Sequence, residues 1–222
     1  MSDTATRATR LMQAAKSRRL DPFTEIDWSS SWEGDEYFQM PPEKLPLFGT
    51  SIWEDMSETD RRIYSRHEAA AINAAGIFFE NLAMQTILRH LGSIEVTDPA
   101  HQFLLLEVAE ECKHSMMFGE YINWLGTPSY APPFSGSSFR PAEGLPGRVT
   151  GFVLLLAVEE LLDRMNRATM SDARVHPVNR AISRIHVIEE ARHVSFAHSY
   201  LRDLWPSLTA EEQASTREFA PM

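Results

Sequence analysis

Two heptapeptides 79 residues apart carry the same chemistry. Val108-Ala109-Glu110-Glu111-Cys112-Lys113-His114 and Val187-Ile188-Glu189-Glu190-Ala191-Arg192-His193 each place a Glu-x-x-His inside an apolar, helix-forming stretch. Glu80 stands 31 residues before Glu111 and Glu159 stands 31 before Glu190, so one offset of 79 relates Glu80 to Glu159, Glu111 to Glu190 and His114 to His193. Helical residues three apart are separated by about 60° around the axis, which sends a carboxylate oxygen and an imidazole nitrogen into the same space. Two Glu helices and two Glu-x-x-His helices are the donor supply of a carboxylate-bridged dimetal site in a four-helix bundle. One Glu-x-x-His alone is weak evidence, because both residues are common on helix surfaces. A matched pair with matched upstream glutamates is much stronger, since a duplication kept for packing would preserve apolar positions rather than charged ones.

Burial physics points the same way. Phe78, Phe79 and Leu82 flank Glu80, and Leu154, Leu155, Leu156, Leu161 and Leu162 surround Glu159. Unpaired carboxylates in such helices cost several kcal/mol or take up protons, and two divalent cations remove that cost. The 31-residue spacing favours Glu159 over Glu160. Helical phase does not separate Glu110 from Glu111 or Glu189 from Glu190, because an i, i+4 pair with the histidine is also feasible; that choice rests on the Glu-x-x-His spacing. His186 lies four residues before Glu190 and seven before His193, on the same face. On spacing alone it is as readily a satisfied core histidine as a ligand. Its counterpart 79 residues earlier is Glu107, which also faces the site and suits a supporting, pocket-lining or ion-paired role. His67, His90, His101, His176 and His198 lack a partner at ligand spacing and are expected on the surface or in support. Gly76 and Ala83, one turn either side of Glu80, leave room beside a metal, although small residues at helix crossings more often serve packing.

The elements that must position these groups are helices. Ser57 with Asp60 makes a capping-box start for a helix reaching about Leu91, where Gly92 stops it. Asp98 and Pro99 open a second helix that ends near Gly126. Thr127 to Gly147, with five prolines, reads as a crossover loop. A third helix spans roughly Arg148 to Met170, a fourth runs from Pro177 to about Leu204, and a short fifth begins at Thr209 with Glu212 in a capping box. No stretch alternates at period two. The fold class is therefore all-α: a ferritin-like four-helix bundle with a long crossover loop, an irregular N-terminal arm and a short C-terminal helix. Residues 1–50, rich in proline and aromatics, are expected to form the arm packed on the core, with a basic, mobile tail in the first twenty. Residues 51–222 are expected to form the bundle, in a single domain overall.

Composition restricts the function. The 222 residues carry a formal net charge of −10, which argues against nucleic acid, and the apolar run Phe152 to Val158 is too short to span a bilayer. No apolar segment follows the basic tail in the manner of a secretory signal, and the lone Cys112 suits a reducing compartment, so a cytoplasmic protein with no membrane partner is expected. Cys112 itself reads as a buried small hydrophobe. Carboxylates and imidazoles without thiolates suit iron or manganese rather than structural zinc.

Glu80, Glu111-x-x-His114, Glu159 and His186-x-x-x-Glu190-x-x-His193 together resemble the four-Glu, three-His ligand set of the p-aminobenzoate N-oxygenase family of di-iron oxygenases. The resemblance extends to Asp-Pro-Phe-x-x-x-Asp-Trp at 21–28, Leu-Phe-Gly-Thr-x-x-Trp at 47–53 and Ser65-Arg66-His67-Glu68-Ala69. It implies His186 as a seventh ligand, two Fe ions (Mn or mixed Fe/Mn being the variants), O2 as co-substrate, and oxygen insertion into an amine nitrogen of a small molecule. Members usually continue with further helices beyond the position of Met222, which leaves the pocket wall, and hence the substrate, open. No Gly-x-Gly-x-x-Gly follows a strand, so an external electron donor or reductase is expected, as is a homodimer. The competing readings are hydroxylation or desaturation at carbon, a ferritin-type ferroxidase, and a helical interaction module without metal.

Overall fold

The computed structural model describes residues 3–32, 36–131 and 147–219. Four long helices dominate it: α4 (Glu58–Leu91), α5 (Pro99–Leu125), α6 (Gly147–Ser171) and α7 (Pro177–Leu204). Before them come α1 (Asp3–Ser17), α2 (Pro22–Glu25) and α3 (Ser51–Asp55), and after them α8 (Ala210–Phe219). Among the described residues there is no strand, only an isolated parallel bridge between Phe38 and Val175. The all-α bundle anticipated from the caps is the observed fold. No helix among these residues is long and apolar enough to cross a membrane.

Side chains fix the helix ends where the caps require. Ser57 accepts a hydrogen bond from the Asp60 amide at the start of α4, and Asp98 does the same from the Ala100 amide at the start of α5. At the end of α5, Gly126 takes φ 61°, a left-handed conformation that glycine adopts without steric cost. Pro177 opens α7 as its sequence suggests, and His176 supplies the cap by accepting from the Val178 amide. Thr209 and Glu212 form the reciprocal box ahead of α8. The crossover expected over 127–147 falls outside the described residues between 132 and 146.

Within the bundle α4 lies along α5 and α6 along α7, with α5 meeting α7 across the middle. The apolar interior divides in two. One cluster holds Ala70, Met117, Phe118, Tyr121, Ile182 and Ile185; the other holds Ile87, Phe103, Leu104, Phe152 and Phe196. On α4, α5 and α7 alike, the candidate polar residues fall in sequence between the two sets, so the acidic and imidazole groups occupy a layer with hydrocarbon on either side.

Two expectations are corrected. The first twenty residues are not an irregular, mobile tail: Asp3–Ser17 is a helix packed on α5 and α7. Ala5, Ala8 and Ala15 are buried in it, Ala8 completely, and Thr4 ties its start to α7 by donating to Asp203 Oδ2 and to the Ser199 carbonyl. A stripe of alanines lets one backbone approach others closely, and a search for large apolar residues passes over it. The rest of the arm is laid over the bundle, with Trp124 Nε1 donating to the Ser30 carbonyl and the His176 amide to the Phe38 carbonyl. Cys112 is exposed rather than buried, its sulfur 3.3 Å from that of Met84.

Candidate metal centre

The structure brings the donor atoms of all seven singled-out residues into three overlapping groups, each within 4.8 Å: Glu80 with His114, His186 and Glu190; Glu111 with Glu159 and Glu190; and Glu111 with His193 and Glu107. Each of the four long helices contributes, α4 with Glu80, α5 with Glu107, Glu111 and His114, α6 with Glu159, and α7 with His186, Glu190 and His193. Every one of these residues is buried except Glu159, which is half-buried as a residue. Its carboxylate oxygen nevertheless lies within 4.8 Å of donor atoms of the buried Glu111 and Glu190.

Glu111 and Glu190 form the centre. His114 Nδ1 stands 2.9 Å from Glu111 and 3.3 Å from Glu190, and His193 Nδ1 stands 3.0 Å from Glu111 and 3.3 Å from Glu190. The Nε2 atoms face outward. His114 Nε2 lies 2.9 Å from Glu189 Oε2, and His193 Nε2 lies 2.9 Å from Glu110 Oε2. Behind these carboxylates Lys113 pairs with Glu189, and Arg192 pairs with Glu110 at 2.6 Å. The ambiguity within each Glu-Glu pair is thereby resolved: the second glutamate looks into the site, and the first braces the histidine of the opposite helix. A carboxylate on the outer imidazole nitrogen fixes the ring and its tautomer and makes the inner nitrogen a better donor. Lys113 and Arg192 are likewise related by the offset of 79. They were in the duplicated sequence from the start, and their bracing role needed the second helix to be seen.

His186 points Nε2 at Glu80, 3.2 Å away, while Asn166 of α6 holds Nδ1 at 3.0 Å. Asn166 carried no signal in sequence, because a single amide on a helix is ordinary. Gly76 serves packing rather than a ligand: a Cβ there would meet the Phe118 ring at 3.2 Å. Phe118 itself lies over His186, with ring centroids 5.3 Å apart. The remaining histidines stay off the centre, with His67 on Tyr130 and His198 on Glu160.

Electrostatics divides the cluster. Burial, reinforced by Glu111 and Glu190, raises Glu80 well above the usual carboxylic range, and burial with Glu190 and Glu107 does the same to Glu159. Burial pushes Glu107 up to about 8. Burial and Glu190 also push Glu111 upward, but His193 and His114 outweigh them and hold it at about 2. Glu190 is opposed by burial in the same way and is held well below its usual range by His193 and His186. His114 and His193 keep their protons against burial because carboxylates surround them, whereas burial lowers His186 to about 4. So dense a set of buried acids and imidazoles is a poor packing unit and a good trap for cations. Its oxygen and imidazole nitrogen donors, with no thiolate, fit a pair of iron or manganese ions. Glu80, His114 and His186 would serve one ion, Glu159 and His193 the other, and Glu111 and Glu190 lie between them.

The comparisons with known proteins agree with this geometry. The family model described as P-aminobenzoate N-oxygenase AurF matches residues 1–222. An uncharacterized protein of Mycobacterium bovis and one from each of two strains of Mycobacterium tuberculosis are each 31% identical over 208 residues, which is 90% of this chain and 61% of the relative. The chain thus spans about three-fifths of the length of these relatives.

Proposed function

Given that the chain belongs to the P-aminobenzoate N-oxygenase AurF family of di-iron oxygenases, we propose that it uses O2 to oxygenate an amine nitrogen, an arylamine being the leading substrate class, with Glu80, Glu111, His114, Glu159, His186, Glu190 and His193 as the metal ligands. The observation that carries this is the convergence of those side chains from four helices into one buried layer. Bound iron supplies the redox chemistry by which O2 is reduced and oxygen transferred. The protein's own residues do the rest. Glu111 and Glu190 would help hold the ions, and Glu189 and Glu110 keep His114 and His193 aimed inward. The apolar clusters on both sides keep bulk water away.

Substrate would approach from the His186 side. A cavity of about 50 Å³ there is lined by Asn73, Gly76, Phe118, Asn166, Ser183 and His186. That volume is far below the roughly 300 Å³ at which ligand pockets begin, so an aromatic amine would need this side of the site to open further. Electrons from an external donor and a homodimeric assembly belong to the same proposal.

The test is metal analysis after anaerobic iron loading, followed by single-turnover absorption of the reduced protein with O2 and candidate arylamines. About two irons per chain are expected, with most of the metal lost in Glu111→Ala and His193→Ala and with hydroxylamine or nitro products by mass spectrometry. Products oxidised only at carbon would replace the nitrogen chemistry with hydroxylation. Metal content indifferent to both substitutions would refute the site.

A further inference from the structure

The twofold pattern of the centre leaves one position unaccounted for in the seven-ligand set. On the α7 side, His186 sits one turn before Glu190 and joins Glu190, Glu80 and His114 of the opposite helix. On the α5 side, the residue one turn before Glu111 is Glu107, and it joins Glu111 and His193 of the opposite helix. The same offset of 79 that relates the other ligand pairs relates Glu107 to His186. We propose that Glu107 is an eighth protein donor to the metal pair, filling at the His193 ion the position that His186 fills at the other.

This rests on the dimetal reading above and adds a residue to it. Three features of Glu107 carry the addition. It is only 5% exposed, so no water-facing role is available to it. Its Oε2 is buried without a hydrogen-bond partner. The nearby lysine and arginine are engaged elsewhere, Lys113 with Glu189 and Arg192 with Glu110. A buried carboxylate oxygen left this way costs free energy that a metal bond removes. The alternative, a protonated acid that merely fills space, would leave that Oε2 among the candidate ligands with nothing to bond.

An eighth donor would even out the number of donors while keeping the two ions chemically unlike. One would have Glu80 and two imidazoles besides the shared carboxylates; the other would have Glu159, Glu107 and one imidazole. Harder oxygen donation at the second position favours the more oxophilic ion there.

The experiment compares the wild-type chain with Glu107→Gln, Glu107→His and His193→Ala. Each is loaded anaerobically with ⁵⁷Fe(II), titrated against a competing chelator and examined by Mössbauer spectroscopy. Glu107→Gln keeps the shape and loses the anionic donor. One of the two ions should weaken by at least about tenfold, a loss typical of even indirect metal supports, and one quadrupole doublet should shift while the other stays. Glu107→His, which supplies a nitrogen donor, should recover occupancy with that same doublet shifted, and this decides the matter if Glu107→Gln fails to fold. Wild-type affinities and an unchanged spectrum in both Glu107 variants, with an ion lost in His193→Ala, would overturn the eighth ligand and leave the dimetal centre standing. Both ions retained in His193→Ala as well would overturn the centre itself.

Discussion

Each histidine at the centre of the site is held from both sides, by a shared carboxylate on Nδ1 and by a braced carboxylate on Nε2. Replacing Glu189 with Ala removes the brace from His114 and leaves Lys113 with the Leu20 carbonyl alone. The metal affinity of that variant should fall on the order of tenfold to a hundredfold, read by chelator competition, while the apo protein keeps its helical circular dichroism. A second consequence concerns protons. Glu80, Glu107 and Glu159 are displaced upward, and His114 and His193 hold their protons among carboxylates, so the metal-free cluster is protonated at several donor atoms. Cations bind only the deprotonated forms. Ion uptake should therefore release protons into a weakly buffered solution, and apparent affinity should climb with pH through about 8, the value to which Glu107 is raised. Affinity flat between pH 6 and 8 would contradict this account. The donor types and their convergence were legible in the sequence because spacing on a helix sets locally which side chains share a face. The separation of Glu110 from Glu111, and the bracing by Lys113 and Arg192, were not, because they depend on where the opposite helix lies.

Among the elements, three of the four long helices were readable from their punctuation. Ser57, Asp98, Gly126 and Pro177 are local devices whose physics needs no tertiary partner, and each marks the end it was expected to mark. Helix α1 failed that kind of reading because its signal is the absence of bulk. Its alanines gain little from burial individually, and what holds it is close approach to α5 and α7 together with the Thr4 to Asp203 contact. Such a contact is sensitive to added volume. Ala8 is fully buried in the second apolar cluster, so a larger side chain there must displace its neighbours. Ala8→Leu should therefore lower unfolding free energy by about 1–3 kcal/mol, measured by urea denaturation with an unchanged m-value. A neutral result would mean that α1 is detached from the bundle in solution.

For the whole molecule, the acidic layer sets stability against function. Burying Glu80, Glu107 and Glu159 with no cation forces them to stay protonated, so the metal-free fold is favoured where carboxylic acids are protonated anyway. For Glu107, with an ordinary value of 4.5 and a folded value of about 8, that contribution is complete below 4.5 and is lost as pH rises toward 8. Metal loading reverses the balance by giving the ionised carboxylates a counter-charge. A ligand that binds only the folded chain stabilises it by about 2.7 kcal/mol at a hundredfold excess over its dissociation constant. For a chain of this size each kcal/mol is worth roughly 2–4 °C. Iron(II) or manganese(II) under anaerobic conditions should therefore raise Tm by on the order of 5–10 °C at pH 8. The rise should be smaller at pH 5.5, where protons compete for the same oxygens, and a chelator should abolish it. Scanning calorimetry of the loaded and stripped protein at both pH values reads all three outcomes. An equal shift in Glu111→Ala would show that the cations act somewhere other than this centre.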